Sequence, residues 1–443
     1  MSGKNGRAQR HIGGMAAWGA ALGLVLTPLG GWAQPASAPA ARETLRASLS
    51  DPAQSQVRWS AVVPAGWNGT LLLWSRGYSP RIGDPEVIPP RAREALLAQG
   101  YALAASDYGA GGWALAQAVP AQQATIRAFA AQYGAPKRVI AWGNSMGGLV
   151  TTALAEDRRS GIDGAIAMCP SIGGAVGMMN MVLDGAFVFK TLAAPDAGLL
   201  LTGISDDRAN GARAQAAVDA AMQTPQGRAR VALAGVLGGL PGWTRGDRPQ
   251  PGATDYAAQT DEIGAVFTGA LFPPRADQEA RAGGVYSWNE RIDYAAQLRL
   301  SGRYAHVAAM YRAAGLNLRA DLAKLASAPR VKADRAAVRY MMAHYTPTAR
   351  PVVPILSLQA VGDGLTSPSL QRAYVDAAGP RMAQAMWLKQ AGHCVATADQ
   401  MVMALRHLEA RITMGRWPAR PAGAVAHTPP PMLRPCLRGR VCR

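Results

Sequence analysis

The chain is poor in cysteine, with four in 443 residues. Cys169, Cys394, Cys436 and Cys442 form no C-x-x-C pair, and no H-E-x-x-H or similar ligand spacing occurs, so no metal site is expected. No P-loop is present, and no G-x-G-x-x-G opens a helix after a strand, which excludes the usual nucleotide signatures. Acidic residues are scarce: 28 Asp and Glu face 46 Lys and Arg, for a net charge of +18. A nucleic-acid binder would gather that excess on one face or one helix. Here the arginines are scattered, with no basic run interleaved with aromatics, so nucleic acid is not an expected partner. Weak attraction to anionic surfaces is the secondary reading. Internal repeats are absent too. What the chain does have is apolar residues, 49% of the total, enough for one large domain with an insertion or for two domains.

Residues 1–38 read as a signal peptide. Lys4, Arg7 and Arg10 precede the apolar run Met15–Leu29, which Pro28 breaks, and small residues follow. The run is too short and broken for a comfortable membrane span. Export, to the periplasm or beyond, is the expectation; an uncleaved anchor is the alternative.

From Gln56 onward strands and helices alternate. Gln56–Trp67 reads as a strand pair or strand and turn, and Gly69–Trp74, Tyr101–Ser106, Val139–Trp142 and Ile162–Met168 are short apolar runs of the buried parallel-sheet kind. Helical spacing at Arg91–Gln99 and Gln117–Tyr133 separates them. The expectation is an α/β fold, a mostly parallel sheet with right-handed crossovers. Residues 39–172 form its first part. Residues 173–345 are Ala-rich and helical and read as a cap inserted between two late strands. Residues 346–417 return to sheet character at Val352–Gln359 and Met382–Lys389. Residues 418–443, rich in Pro and Arg, read as a flexible tail. Cys436 and Cys442 either pair with each other there or stay as thiols.

Gly143-Asn144-Ser145-Met146-Gly147 lies between an apolar strand and an apolar helix, the strand–turn–helix setting of a nucleophile elbow. A serine there stands clear of the backbone, near the positive end of the next helix, and the N–H of Met146 faces the reacting oxygen. Serine needs a base held by an orienting acid. Asp363, in Val361-Gly362-Asp363-Gly364, follows one late strand, and His393, in Gly392-His393-Cys394, follows the next. Of six histidines, His11 and His427 are terminal, His407 lies in the last helix, and His306 and His344 lie in the insertion. His393 alone sits on a loop after a strand. Asp107 is the rival acid. A second oxyanion donor is expected after the Leu71–Trp74 strand, from the N–H of Tyr78 or of Gly77, with Tyr78 as pocket wall the alternative.

Through these residues, positions 56 to 415 resemble the α/β-hydrolase superfamily, and more narrowly secreted bacterial serine esterases with a large helical cap. The resemblance implies an acyl-enzyme in which Ser145 attacks, His393 moves the proton and Asp363 orients it; it implies no cofactor. His393-Cys394 is similar to the tannase and feruloyl esterase pattern, in which a cysteine after the histidine bonds one before the serine. Here Asn144 fills that place, which leaves Cys169 as the only other core cysteine. A Cys169–Cys394 bond or two free thiols are both open. Gly77, Met178, Met179, Phe187 and Trp288 are candidate pocket residues, although such Met and aromatic stripes more often form plain core. The expected substrate is a hydrophobic or aromatic ester or a polyester oligomer. A peptidase or amidase with the same residues, or a silent binding protein on this scaffold, are the alternatives. Oligomeric state is not legible.

Overall fold

A computed structural model describes residues 41–86 and 90–442. The signal peptide expected at 1–38 lies outside the described residues. Two polar-edged strands open the sheet, β1 (Arg42–Ser48) and β2 (Arg58–Val63), followed by β3 (Thr70–Ser75), α1 (Pro90–Ala98), β4 (Ala102–Ser106), α2 (Leu115–Tyr133), β5 (Arg138–Asn144), α3 (Met146–Glu156) and β6 (Gly164–Met168). Nine helices then intervene: α4 (Ala175–Leu192), α5 (Asp207–Met222), α6 (Pro225–Leu237), α7 (Tyr256–Leu271), α8 (Ala276–Ala282), α9 (Tyr294–Leu300), α10 (Tyr304–Ala313), α11 (Leu318–Ser327) and α12 (Arg335–Tyr345). β7 (Ile355–Gly362), α13 (Pro368–Ala378), β8 (Ala383–Ala391) and α14 (Ala398–Met414) complete the order.

The eight strands lie in the order β1-β2-β4-β3-β5-β6-β7-β8. β2 runs antiparallel to β1 and β4, and the remaining neighbours are parallel. This is the α/β-hydrolase order. β3 has no exposed position, as expected of a strand covered by helices on both faces. The chain reverses direction across the sheet at β3, which is flanked by β4 and β5, so a crevice opens beyond the C-terminal ends of β3 and β5. Gln122 of α2 pins that end from below: its amide donates to the Trp74 carbonyl (2.6 Å) and Ser75 Oγ (2.8 Å) and accepts from Ser106 Oγ (3.0 Å).

The helical insertion has its own apolar core, and α4 joins it to the sheet. Val176 to Val182 pack with the sheet-side core, whereas Ala186 to Leu192 pack with the insertion's core. Helix α4 is apolar and long enough to cross a membrane, but it is buried inside the protein, where an all-round apolar helix belongs.

The expectation of a flexible tail at 418–443 is corrected. Val425 donates to the Trp387 carbonyl (2.9 Å), Arg372 reaches the Pro429 carbonyl (2.6 Å), and Met432, Leu433 and Leu437 are buried. Cys436 and Cys442 are bonded. Arg434, fully buried, donates to Asp184 Oδ2 (2.8 Å) and to the Trp288 carbonyl (3.0 Å). The segment is a strap held by side-chain anchors. Its proline run restricts the unfolded chain, so ordering it sacrifices little entropy.

Burial pushes the Asp184 carboxyl up to about 6, against the opposing pull of Arg434 and Tyr294. A raised acid binds its proton more tightly in the folded chain, so its stabilising share is full below the unfolded pKa of about 4 and is lost as pH rises through 6. Arg434→Met strands the ionised carboxylate in the core. It should lower stability by about 3–5 kcal/mol near pH 8 and by less near pH 5. Urea unfolding at the two pH values checks this; equal losses would refute it.

Candidate active site

The turn after β5 is fixed by backbone crowding. A Cβ at Gly147 would lie 2.0 Å from the Ser75 carbonyl oxygen and 2.5 Å from that of Arg76, and one at Gly143 would lie 2.5 Å from the Ser75 oxygen. Only glycine lets the loop after β3 meet the start of α3. Ser145 between them has φ 55 and ψ −120, a strained conformation for a side chain with a Cβ. Its backbone is held from both ends: the N–H donates to the Met168 carbonyl (3.0 Å), and the carbonyl accepts from Gly148 (3.0 Å) and Ser171 (3.1 Å). Met146 is the first residue of α3, at the positive end of the helix dipole.

Asp363 and His393 follow β7 and β8 and meet. His393 Nδ1 lies 2.9 Å from Asp363 Oδ2 and 3.1 Å from Oδ1. The carboxylate is fully buried and accepts three further bonds: from the Leu365 N–H (2.9 Å), the Thr366 N–H (3.0 Å) and Thr366 Oγ1 (2.9 Å). A carboxylate so surrounded by donors can only accept from the imidazole, which places the proton on Nδ1 and leaves Nε2 basic. Thr366 was not singled out in the sequence. Its oxygen also lies 3.0 Å from the Cys169 carbonyl, a packing contact of the acid loop with the end of β6, since the one hydroxyl proton goes to Asp363.

Cys169 and Cys394 are bonded, with Cα atoms 5.2 Å apart. Both have positive φ, 40 and 57, so each end of the bridge turns sharply. The bridge fastens the histidine loop to β6. His393 Nε2 lies 3.3 Å from Cys394 Sγ; this is a contact, since neither atom carries a proton in this tautomer. In this conformation no hydrogen bond joins the Ser145 hydroxyl to the imidazole. Among the described residues Cys169, His393 and Cys394 form the one cluster with metal-ligand proximity, and both its sulfurs are spent in the disulfide.

The loop after β3 borders the serine. A Cβ at Gly77 would sit 3.4 Å from Ser145 Cβ and 3.3 Å from Asn144 Oδ1, so the backbone of Gly77 approaches the serine closely. Arg76 stiffens the loop: it lies 4.6 Å over the Tyr108 ring and donates to the carbonyls of Gly77 (3.2 Å) and Ala110 (2.7 Å). Tyr78 is 36% exposed, with its ring 5.9 Å from that of Trp113. Burial, then the charges of Asp277 and Asp207, raise its hydroxyl pKa. Asp277 on α8 accepts from the Trp113 N–H (2.7 Å) and pairs with Arg281 (2.9 Å), so the insertion is latched to this rim.

Three candidate pocket residues are instead packed as core. Met178, Met179 and Phe187 are 8%, 1% and 4% exposed, and Phe187 stacks on Tyr294 at 5.7 Å. Helix α4 is buried on every side, so its methionines face packing partners. Trp288 is half-buried beneath Arg434, whose guanidinium lies 5.8 Å from its ring. Asp107, the rival acid, is engaged with Arg58 through Nε (2.8 Å) and the backbone N–H (3.0 Å) on the antiparallel side of the sheet.

Residues 41–241 match a model described as a tannase-like family of unknown function. The chain is 29% identical over 398 residues to an o-phthalyl amidase of Xanthobacter agilis, covering 81% of this chain and 85% of the amidase. Among solved structures, feruloyl esterase B of Aspergillus oryzae is 13% identical, with a TM-score of 0.39 over 86% of this chain and 88% of the other. An esterase from the same organism is 12% identical, with a TM-score of 0.39 over 84% and 81%. The sheet order is that of the α/β-hydrolase fold, and the tannase-like match covers residues 41–241 of the chain that builds it.

Proposed function

We propose that the chain is an exported serine hydrolase that cleaves carboxylic esters or amides through an acyl-enzyme. Ser145 attacks the carbonyl, His393 takes the proton on Nε2 and returns it to the leaving group, and Asp363 holds the imidazole in that tautomer. The N–H groups of Met146 and of Tyr78 or Gly77 receive the developing oxyanion. The observation that carries this reading is the 2.9 Å contact of His393 Nδ1 with a fully buried Asp363, on the same sheet rim as a serine strained at φ 55. The serine–imidazole bond would form when substrate enters, since such bonds often tighten only in the complex. Two disulfides support an oxidising compartment and hence export.

Esters are the first reading, with a hydrophobic or aromatic acyl group. An amide is the second, favoured by the likeness to an o-phthalyl amidase. Initial rates on matched p-nitrophenyl esters and p-nitroanilides of one aromatic acid rank the two. In both cases Ser145→Ala should reduce turnover about 10⁴-fold or more, with the fold retained by circular dichroism. Labelling of wild type by a fluorophosphonate should disappear in the variant. A labelled variant, or unlabelled and inactive wild type, would favour a binding protein instead.

Thr366→Val keeps the shape of the acid loop but removes one hydroxyl donor to a buried carboxylate. Turnover should fall about 10- to 100-fold at unchanged KM, the weight of a charged hydrogen bond. A fall in KM-linked binding alone would contradict the positioning role. Replacing Cys169 and Cys394 together by serine should release the histidine loop and cut turnover while leaving Cys436–Cys442 intact; full activity in that variant would show the bridge to be irrelevant to catalysis.

A further inference from the structure

A cavity of about 220 Å³ lies between the end of α6, the acid loop and the strap. Its walls are mainly apolar, with Val236, Leu240, Trp243 and Leu433 prominent. One cation lines it, Arg303. Two of the five guanidinium N–H groups are engaged: Nη1 donates to the Leu240 carbonyl and Nη2 to His306 Nδ1 (3.1 Å).

That histidine supplies no negative charge. Burial, then the neighbouring guanidinium, push it down to about 3, so it is neutral. Nδ1 accepts from Arg303, which places its proton on Nε2, 2.9 Å from Thr260 Oγ1. Thr260 in turn donates to the Tyr256 carbonyl (2.7 Å). Among the described residues no carboxylate lies within ion-pair distance of Arg303. Burial alone draws its titration down to about 10. Other arginines drawn into the insertion, such as Arg230 with Asp321 (2.9 Å), Arg245 with Glu262 (2.7 Å) and Arg275 with Glu279 (2.9 Å), have an acid beside them. Arg303 is half-buried, and a cation partly withdrawn from water with no counter-charge beside it favours an anion joining it.

The dimensions suit one class of ligand. A dry apolar cavity of about 150 Å³ accepts benzene, so this one holds a ring with a small polar head. We propose that the cavity binds a small carboxylic acid with an aromatic or branched apolar body, its carboxylate on the free N–H groups of Arg303 and its body against Trp243 and Leu433. Ser367 and Val361 line the cavity from either side of Asp363, so the occupant lies behind the acid loop and the site is separate from the serine.

Calorimetric titration of sodium benzoate into the full chain tests this, with benzamide as the neutral isostere. A Ser145→Ala background removes turnover. Benzoate should bind about 10- to 100-fold more tightly than benzamide, and Arg303→Gln should abolish that difference. Leu433→Trp, which fills the cavity and leaves the charge, should weaken both ligands; it decides the matter if Arg303→Gln fails to fold. Phosphonylating Ser145 in wild type should leave benzoate binding unchanged. No benzoate binding, equal affinity for benzamide, or loss of binding on phosphonylation would each overturn the proposal. Because the assay needs no catalysis, it can fail while the hydrolase reading stands, and the reverse.

Discussion

The close passage of two backbones beside Ser145 is the constraint from which the rim of this sheet follows. The carbonyl of Ser75 occupies the volume that a Cβ of Gly147 or Gly143 would need. β3 and β5 are hydrogen-bonded neighbours, with Ser75 paired to Gly143, so the loop after one strand must cross the turn after the other. Glycine permits that crossing, the serine takes a conformation it would otherwise avoid, and its neighbours hold it there. The amide and carbonyl of Ser145 make three backbone bonds that hold it in this conformation.

The acid and the histidine are positioned by a different principle, in which buried polar groups must all be satisfied. Asp363 is fully buried, so its oxygens collect partners from Leu365, Thr366 and His393. The Cys169–Cys394 bridge ties the histidine loop to the end of β6, where Thr366 of the acid loop packs against the Cys169 carbonyl. The arrangement is rigid on the side of the base and acid. The opposite side of the crevice, where Tyr78 and Trp113 meet α8 through Asp277, is held by part-buried polar contacts.

Much of this was legible in the sequence because each functional side chain follows an apolar run and is flanked by glycine. Ser145, Asp363 and His393 stand out on that rule, and the resemblance to tannase at His393-Cys394 left a Cys169–Cys394 bond as one of two outcomes. Thr366 could not be singled out by composition; the signal available was an aspartate followed two and three residues later by groups able to donate back to it. β1 was missed since an edge strand exposed on both faces shows no apolar run. The strap was misread for a related reason. Arg434 and Asp184 are 250 residues apart, and a fold held by single long-range anchors leaves no periodicity to read. The α4 methionines were readable as apolar but not as wall or core, because a helix apolar on all sides does not say which neighbour it meets.

Helix α4 runs unbroken from the packing beneath the sheet rim into the packing of the insertion. A continuous rod shared by two interiors leaves no hinge between them. For the insertion to swing aside as a rigid door, this helix would have to bend. The same rod makes the two interiors lose their order together when the protein is heated.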